Sequence, residues 1–352
     1  MASNLDSLMK DLNKKFKSEF IQRGAPTFGF DKIPFTSPKL NYMLYGGLPI
    51  GYLVEFSGHE SSGKTTTALD ITANAQKLFY SANDKREVVF IDVENTFDEA
   101  WARTLGVDTD RLILVSPQDQ SAEDILQAAL DIIDSGDVGL CILDSLAAMV
   151  SNAAFEDSLD KKHYGGISTA LTEFSKKATQ ICKRNKCTFI GINQVRENMN
   201  SMYGGTTTPG GKCWKHSCLV RLSFQKGKFI DEKNNEVPNS TTNPFGNIVN
   251  VCIEKTKSCA PNRRTGHYTL NYINGVDYVN DLIDMLMLYG VIQQGGAWFS
   301  IIDTDTGELL KDIKDESKDL KFQGRPKLYN YLIEDEAHYN RFNDILTKLS
   351  SE

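Results

Sequence analysis

The chain has 352 residues, 40% of them apolar and 24% charged, with 39 Lys+Arg against 46 Asp+Glu for a net charge of −7. At roughly 100–200 residues per domain, this length makes about two domains and allows a sizeable core. The composition excludes dominant disorder, no run of about 18 uncharged apolar residues offers a membrane span, and the acidic balance excludes a globally basic nucleic-acid binder while leaving room for a local basic channel.

Residues 1–24 place Leu5, Leu8, Leu12, Phe16 and Phe20 at three-to-four spacing among Lys and Asp. That pattern predicts one amphipathic helix, not a secretory signal, ended by Arg23-Gly24-Ala25-Pro26. Its apolar face either folds back on its own domain or meets a neighbouring subunit. From residue 35 to about 275, strand and helix patterns alternate. Apolar, β-branched runs lie at Gly51–Phe56, Val88–Val93, Leu112–Val115, Leu140–Leu143, Thr188–Ile192, Leu219–Phe224 and Ile248–Ile253. Helical patterns lie at Thr65–Phe79, Ser121–Asp134 and Gly166–Asn185, the second opened by a capping arrangement at Ser121-Ala-Glu-Asp124. Continuous apolar strands separated by helices imply an α/β fold with a mostly parallel sheet covered on both faces. The later strands, without long helices between them, imply an antiparallel extension. Residues 301–319, with seven acids and three lysines, read as a polar hairpin or linker, and 326–349 as helical. The seven cysteines read as reduced thiols, because neither Cys182/Cys187 nor Cys213/Cys218 has the tight spacing of a zinc site.

Gly58-His-Glu60-Ser61-Ser62-Gly63-Lys64-Thr65 matches G-x-x-x-x-G-K-[ST] between a predicted strand and a predicted helix. In that context the glycines let backbone N–H groups wrap a phosphate at a helix N-terminus. Lys64 supplies a charge for the β and γ phosphates, and the Thr65 hydroxyl can ligate Mg²⁺. A second strand ends in Asp144, where a carboxylate facing a buried environment requires a cation or donor. Its expected task is water-mediated support of Mg²⁺. A third strand ends in Asp92 and Glu94, either of which could take a proton from an attacking water. Strand alternation puts both on one side and does not choose between them.

Gly46-Gly-Leu-Pro-Ile-Gly51, Glu60-Ser-Ser-Gly-Lys-Thr-Thr66, Phe90-Ile-Asp-Val-Glu94, Leu143-Asp-Ser-Leu-Ala-Ala148, Ile192-Asn-Gln-Val-Arg196 and Gly295-Gly-Ala-Trp298 occur in that order. Together they resemble the RecA family of homologous-recombination ATPases, from about Ile33 to Trp298. The resemblance implies a RecA-type P-loop core at 35–278, an N-terminal polymerisation helix and linker at 1–34, and a small α+β C-terminal domain at 279–352. It makes Glu94 the catalytic glutamate and places Thr66 in the nucleotide loop. It puts Asp98 and Trp101 at the adenine, Trp101 standing where tyrosine is usual. Gln194 becomes the sensor of the γ-phosphate. Lys255 and Lys257 match a pair reaching the neighbouring subunit's ATP, and Tyr272 the residue closing over the neighbouring adenine. By residue type alone, the two lysines are equally solvated charges on one face of a strand.

Glu156–Gly166 and Arg196–Gly211 have the composition of functional loops. The resemblance makes them the two DNA-binding loops (about 156–166 and 196–211), with His163, Tyr164, Gly165, Lys176, Arg196, Tyr203, Thr206, Thr207, Gly210, Gly211 and Lys212 as candidate contacts. Thr169 and Lys176 stand where arginines are usual, Lys212 where asparagine is, and His216 where phenylalanine is. The expected function is an ATP- and Mg²⁺-dependent DNA recombinase that polymerises on single-stranded DNA and exchanges strands with homologous duplex. Single-strand-binding and loading proteins are further expected partners, and a membrane is not. The expected setting is the cytoplasm of a bacterium, or of an infected host cell if the protein is phage-encoded. Two rivals share these motifs: a ring helicase of the same ATPase class, and an ATP-switched scaffold that coats single strands and recruits partners. The short N-terminal helix and the lysine pair argue against the helicase, which usually has an added N-terminal domain and an arginine acting in trans.

Overall fold

A computed structural model describes residues 4–16, 30–82, 84–156, 166–197, 206–232 and 234–351. The chain divides into two compact units, Met1–Asp31 and Lys32–Glu352. In the first, α1 (Asn4–Phe16) carries Asp6 in its first turn and Lys14 and Lys15 in its last, signs that suit the helix dipole. Leu5 and Leu8 are exposed. The expected continuation of the helix to residue 24 lies outside the described residues.

The second unit is built on one sheet. Its parallel part comprises β1 (Leu53–Gly58), β2 (Glu87–Asp92), β3 (Ile113–Val115), β4 (Val138–Asp144), β5 (Thr188–Gln194) and the first half of β6 (Val220–Ile230). The antiparallel part adds β7 (Gly246–Thr256), β8 (Thr265–Asn271) and β9 (Gly275–Val276) beyond β6. The spatial order is β9-β8-β7-β6-β1-β5-β4-β2-β3. Residues on alternate sides of the parallel strands enter two different cores, as period-2 geometry requires. Val54, Phe56, Phe90, Ile142 and Ile190 meet α2 (Lys64–Ser81) through Ala68, Leu69 and Ile71. Leu53, Val89, Ile91, Leu143 and Phe189 meet α4 (Ala122–Asp134) and α5 (Gly166–Asn185) through Ile125, Leu126, Leu171 and Phe174. Between β2 and β3 lies the short α3 (Glu99–Thr104). The predicted capping box is present: Ser121 Oγ accepts from Asp124 N, and Asp124 accepts from Ser121 N.

A third core of residues between Val279 and Leu346 joins α7 (Tyr278–Leu288), a separate small antiparallel sheet of strands at Ile292–Gly295, Trp298–Ile301 and Lys321–Gln323, and two terminal helices. Those helices, Arg325–Glu334 and Glu336–Ser351, account for the helical pattern expected over 326–349. The break is at Asp335, which is extended (φ −146, ψ 127) and accepts from Ala337 N through Oδ1. An Asp side chain that bonds nearby backbone competes with helix continuation. Residues 301–319 contain two isolated antiparallel bridges, Ile302 with Leu309 and Lys311 with Asp319.

Candidate nucleotide site and nucleic-acid loops

The glycine-rich turn connects β1 to α2 in the middle of the sheet, where strand neighbours β5 and β6 diverge in chain order. Ligands of open α/β sheets bind at such carboxyl ends. Gly58 is required sterically, because a Cβ there would lie 2.4 Å from Phe224 O. Gly63 adopts φ +93, a left-handed conformation that suits glycine, immediately before α2. Ser61 takes φ +56 within the same turn, Ser62 is buried, and Glu60 is exposed. Lys64 is 8% exposed, with Nζ donating to His59 O at 2.6 Å and Gly58 O at 3.1 Å. Burial lowers its pKa, opposed by Asp144, Glu94 and Glu60. Thr66 is half-buried.

Around this turn the sheet delivers the other polar groups. Thr65 Oγ1 donates to Asp144 Oδ2 at 2.6 Å. Burial pushes Asp144 up to about 6, an effect the Thr65 bond opposes. Two hard oxygen donors facing the phosphate turn suit Mg²⁺, whose other positions are filled by water and phosphate oxygens. Among the described residues there is no cluster of three or more His, Cys, Asp or Glu that could hold a metal, so a Mg²⁺ ion here would depend on the nucleotide for much of its coordination.

Asp92 and Glu94 differ in where they stand relative to the end of β2. Asp92 is the last strand residue, 3% exposed, and its Oδ2 accepts from Phe97 N at 2.8 Å. It therefore shapes the turn after the strand. Glu94 lies beyond the strand end and is exposed. Its Oε1 accepts from Gln194 Nε2 at 3.1 Å and from Ser145 Oγ. Glu94 thus bridges the ends of β4 and β5 beside Lys64. Asp98 caps α3, accepting from Trp101 N at 3.0 Å, and Trp101 packs partly on the core beneath.

The lysine pair is less symmetric than i, i+2 spacing implied. Lys255 lies within β7 opposite Arg221 and is half-buried, its Nζ donating to Lys215 O at 2.9 Å and His216 O at 2.7 Å. Lys257 is past the strand end and exposed, its amide donating to Leu219 O. Tyr272 keeps its ring 41% exposed while its hydroxyl donates to Asn247 Oδ1 at 2.7 Å.

Of the loop candidates, His163, Tyr164, Gly165 and Tyr203 lie outside the described residues. The second loop is closed by a two-rung stem, Arg196–Glu197 pairing antiparallel with Thr206–Thr207. Gly210 caps α6 (Gly211–Ser217) in a left-handed conformation, φ +103, with Leu171 and Trp214 close against it. Gly211 has φ +74. Lys212 and Arg196 are exposed, and Lys215 Nζ donates to Thr207 Oγ1 at 3.2 Å. Lys176 forms an exposed pair with Glu173 at 2.7 Å. Arg221, near these loops in sequence, turns inward: its Nε donates to the buried Glu55 at 2.5 Å. Sequence reasoning passed over Glu55 and Ser145. The signal for Glu55 was an acid inside the apolar run Leu53-Val-Glu-Phe56, which needs buried partners.

Residues 3–277 match the RecA N-terminal domain family. The chain belongs to the RecA family. It is 33% identical over 308 residues to the RecA protein of Ruminococcus albus, covering 86% of this chain and 73% of that one. Against RecA of Lactobacillus delbrueckii subsp. bulgaricus it is 32% identical, over 93% of this chain and 97% of the relative. Against RecA of Chloroherpeton thalassium it is 33% identical, over 96% and 88%. As a RecA-family member, it is an ATP-using DNA recombinase, a DNA-dependent ATPase with strand-exchange activity in recombination and repair. It binds DNA and self-associates. Among the described residues no helix is long and apolar enough to cross a membrane.

Proposed function

We propose that this recombinase hydrolyses ATP at the interface between successive subunits of a filament on single-stranded DNA. The observation that carries this reading is the convergence of Lys64, Thr65, Asp144, Glu94 and Gln194 at the carboxyl ends of adjacent parallel strands. The α2 N-terminus and Lys64 hold the phosphates. Thr65, and Asp144 through water, would hold Mg²⁺, which would supply charge neutralisation at the phosphate oxygens. Glu94 accepts a proton from water as the water oxygen bonds the γ-phosphorus and the bond to the β-phosphate oxygen breaks. Gln194, already bonded to that carboxylate, senses the γ-phosphate and ties it to the loop that begins at Arg196. Lys255 and Lys257 supply positive charge to the neighbour's transition state, and Tyr272 covers the neighbour's adenine.

Asp98 and Trp101 line the adenine in the same subunit. The loops at 156–166 and 196–211 bind the DNA strand, with Arg196 and Lys212 on its phosphates. The exposed Leu5 and Leu8 of α1 dock on the next subunit. Single-strand-binding and loading proteins act as further partners.

The test is steady-state ATP hydrolysis with and without long single-stranded DNA, beside Glu94→Gln. Wild type is expected to be strongly stimulated by DNA. The variant is expected to lose at least about a hundredfold in kcat, the scale of general-base catalysis, while keeping ATP-dependent DNA binding. Unchanged hydrolysis in the variant removes Glu94 from its role.

A further inference from the structure

The buried acid Glu55 joins more elements than any strand residue needs for folding. Its side chain is 0% exposed in the middle of β1, three residues before the phosphate turn. Oε1 accepts from Asn193 Nδ2 and from Trp214 Nε1, each at 2.9 Å, and Oε2 accepts from Arg221 Nε at 2.5 Å. These donors come from β5, α6 and β6. Each leads somewhere functional. Asn193 precedes Gln194, and its Nδ2 also donates to Pro209 O at 2.9 Å, at the far end of the second loop. Trp214 is fully buried in the helix that follows this loop, edge-on to Phe189 of β5. Arg221 is paired across the sheet with Lys255, and Lys255 Nζ in turn bonds the carbonyls of Lys215 and His216 at the end of α6.

A single acceptor side chain therefore fixes the strand that carries the phosphate turn, the strand that carries Gln194, and the helix onto which the loop stem closes. A buried carboxylate is tolerable only with such donors, and removing one donor is felt by the others. Among the described residues, Asn193 Oδ1 and, one residue before Pro209, Thr208 Oγ1 are buried side-chain atoms without a hydrogen-bond partner.

We propose that Glu55 is a positioning residue that couples the nucleotide site to the DNA loop, through Asn193 and Trp214. When Gln194 responds to the γ-phosphate, Asn193 moves with it on the same strand. Glu55 then transfers that shift to the loop stem and to α6, and Lys255 carries it toward the next subunit. The inference rests on the interface reading above, because it requires that nucleotide state and DNA binding be linked.

The test measures that linkage directly. The affinity for a single-stranded oligonucleotide is determined in the presence of a non-hydrolysable ATP analogue and of ADP, and the ratio of the two is the coupling factor, which must be reciprocal. Trp214→Phe removes the indole donor and keeps an aromatic ring against Phe189, and Glu55→Gln removes the charge. Wild type is expected to give a ratio of about tenfold or more. Both variants should bring the ratio close to one while analogue affinity stays within about threefold of wild type, less than the tenfold that about 1.4 kcal/mol represents. A purely structural role lowers melting temperature and leaves the ratio intact, and that result overturns the proposal. Should Glu55→Gln fail to fold, Trp214→Phe decides alone. A wild-type ratio of one instead overturns the interface reading, and the coupling role with it.

Discussion

At the residue scale, burial sets how readily an acid gives up its proton. Asp70, on the buried face of α2, is pushed up to about 6 by burial, against hydrogen bonds from Thr36 and Asn74 and the charge of Lys77. Its folded pKa exceeds the unfolded value, so the folded state binds the extra proton between about pH 4 and 6. Stability is therefore lost as pH rises through that window, and the loss is complete above it. Asp70→Asn should gain on wild type by up to about 3 kcal/mol between pH 4 and pH 7, read from urea melts at the two pH values. An unchanged difference between the proteins would show that Asp70 ionises freely. The same logic explains what was legible here. Lys64 and Thr65 sit in a motif whose spacing dictates their task. Asp92 and Glu94 look alike in the sequence, and their different surroundings, β2 ending at Asp92 with its carboxylate taken by Phe97 N, were not legible there.

At the element scale, local signals were faithful where they were chemically complete. The Ser121–Asp124 box forms as its residues imply, and Ser121→Ala should cost about 1 kcal/mol, the usual value of an N-cap, seen as a lower urea midpoint with unchanged slope. What periodicity missed was the end of an element. Asp335 splits the last helical stretch by taking a backbone N–H for itself. Lys257 leaves the strand face that Lys255 occupies, because β7 stops at Thr256. The two lysines should therefore separate on substitution. Lys255→Ala removes the ammonium from the carbonyls at the end of α6 and should lower both thermal stability and DNA-stimulated hydrolysis. Lys257→Ala, at an exposed site, should bring hydrolysis to background while the melting temperature stays put. Equal loss of stability in both would mean that Lys257 is also built into the fold.

At the scale of the whole molecule, the sheet order puts the two halves of the proposed interface on different regions of one subunit. Glu94 stands beyond β2, whereas Lys257 follows β7 on the antiparallel extension, with four strands between β2 and β7 in the sheet. The mostly parallel sheet with its antiparallel extension was readable from strand composition and from the loss of intervening helices. Which faces of successive subunits meet is proposed from the resemblance, because one chain's pattern records faces and not their partners. A heterologous contact repeated along an open polymer joins one region of each subunit to the other region of the next. Two inactive variants can then restore each other. Glu94→Gln subunits retain Lys257, and Lys257→Ala subunits retain Glu94. In a random equal mixture about one quarter of the interfaces pair an intact glutamate side with an intact lysine side, as heterologous geometry requires. DNA-stimulated hydrolysis should thus recover in the mixture although neither protein is active alone. If each site were complete within its own subunit, mixing would restore nothing, and the mixture would hydrolyse ATP at the mean of the two separate rates.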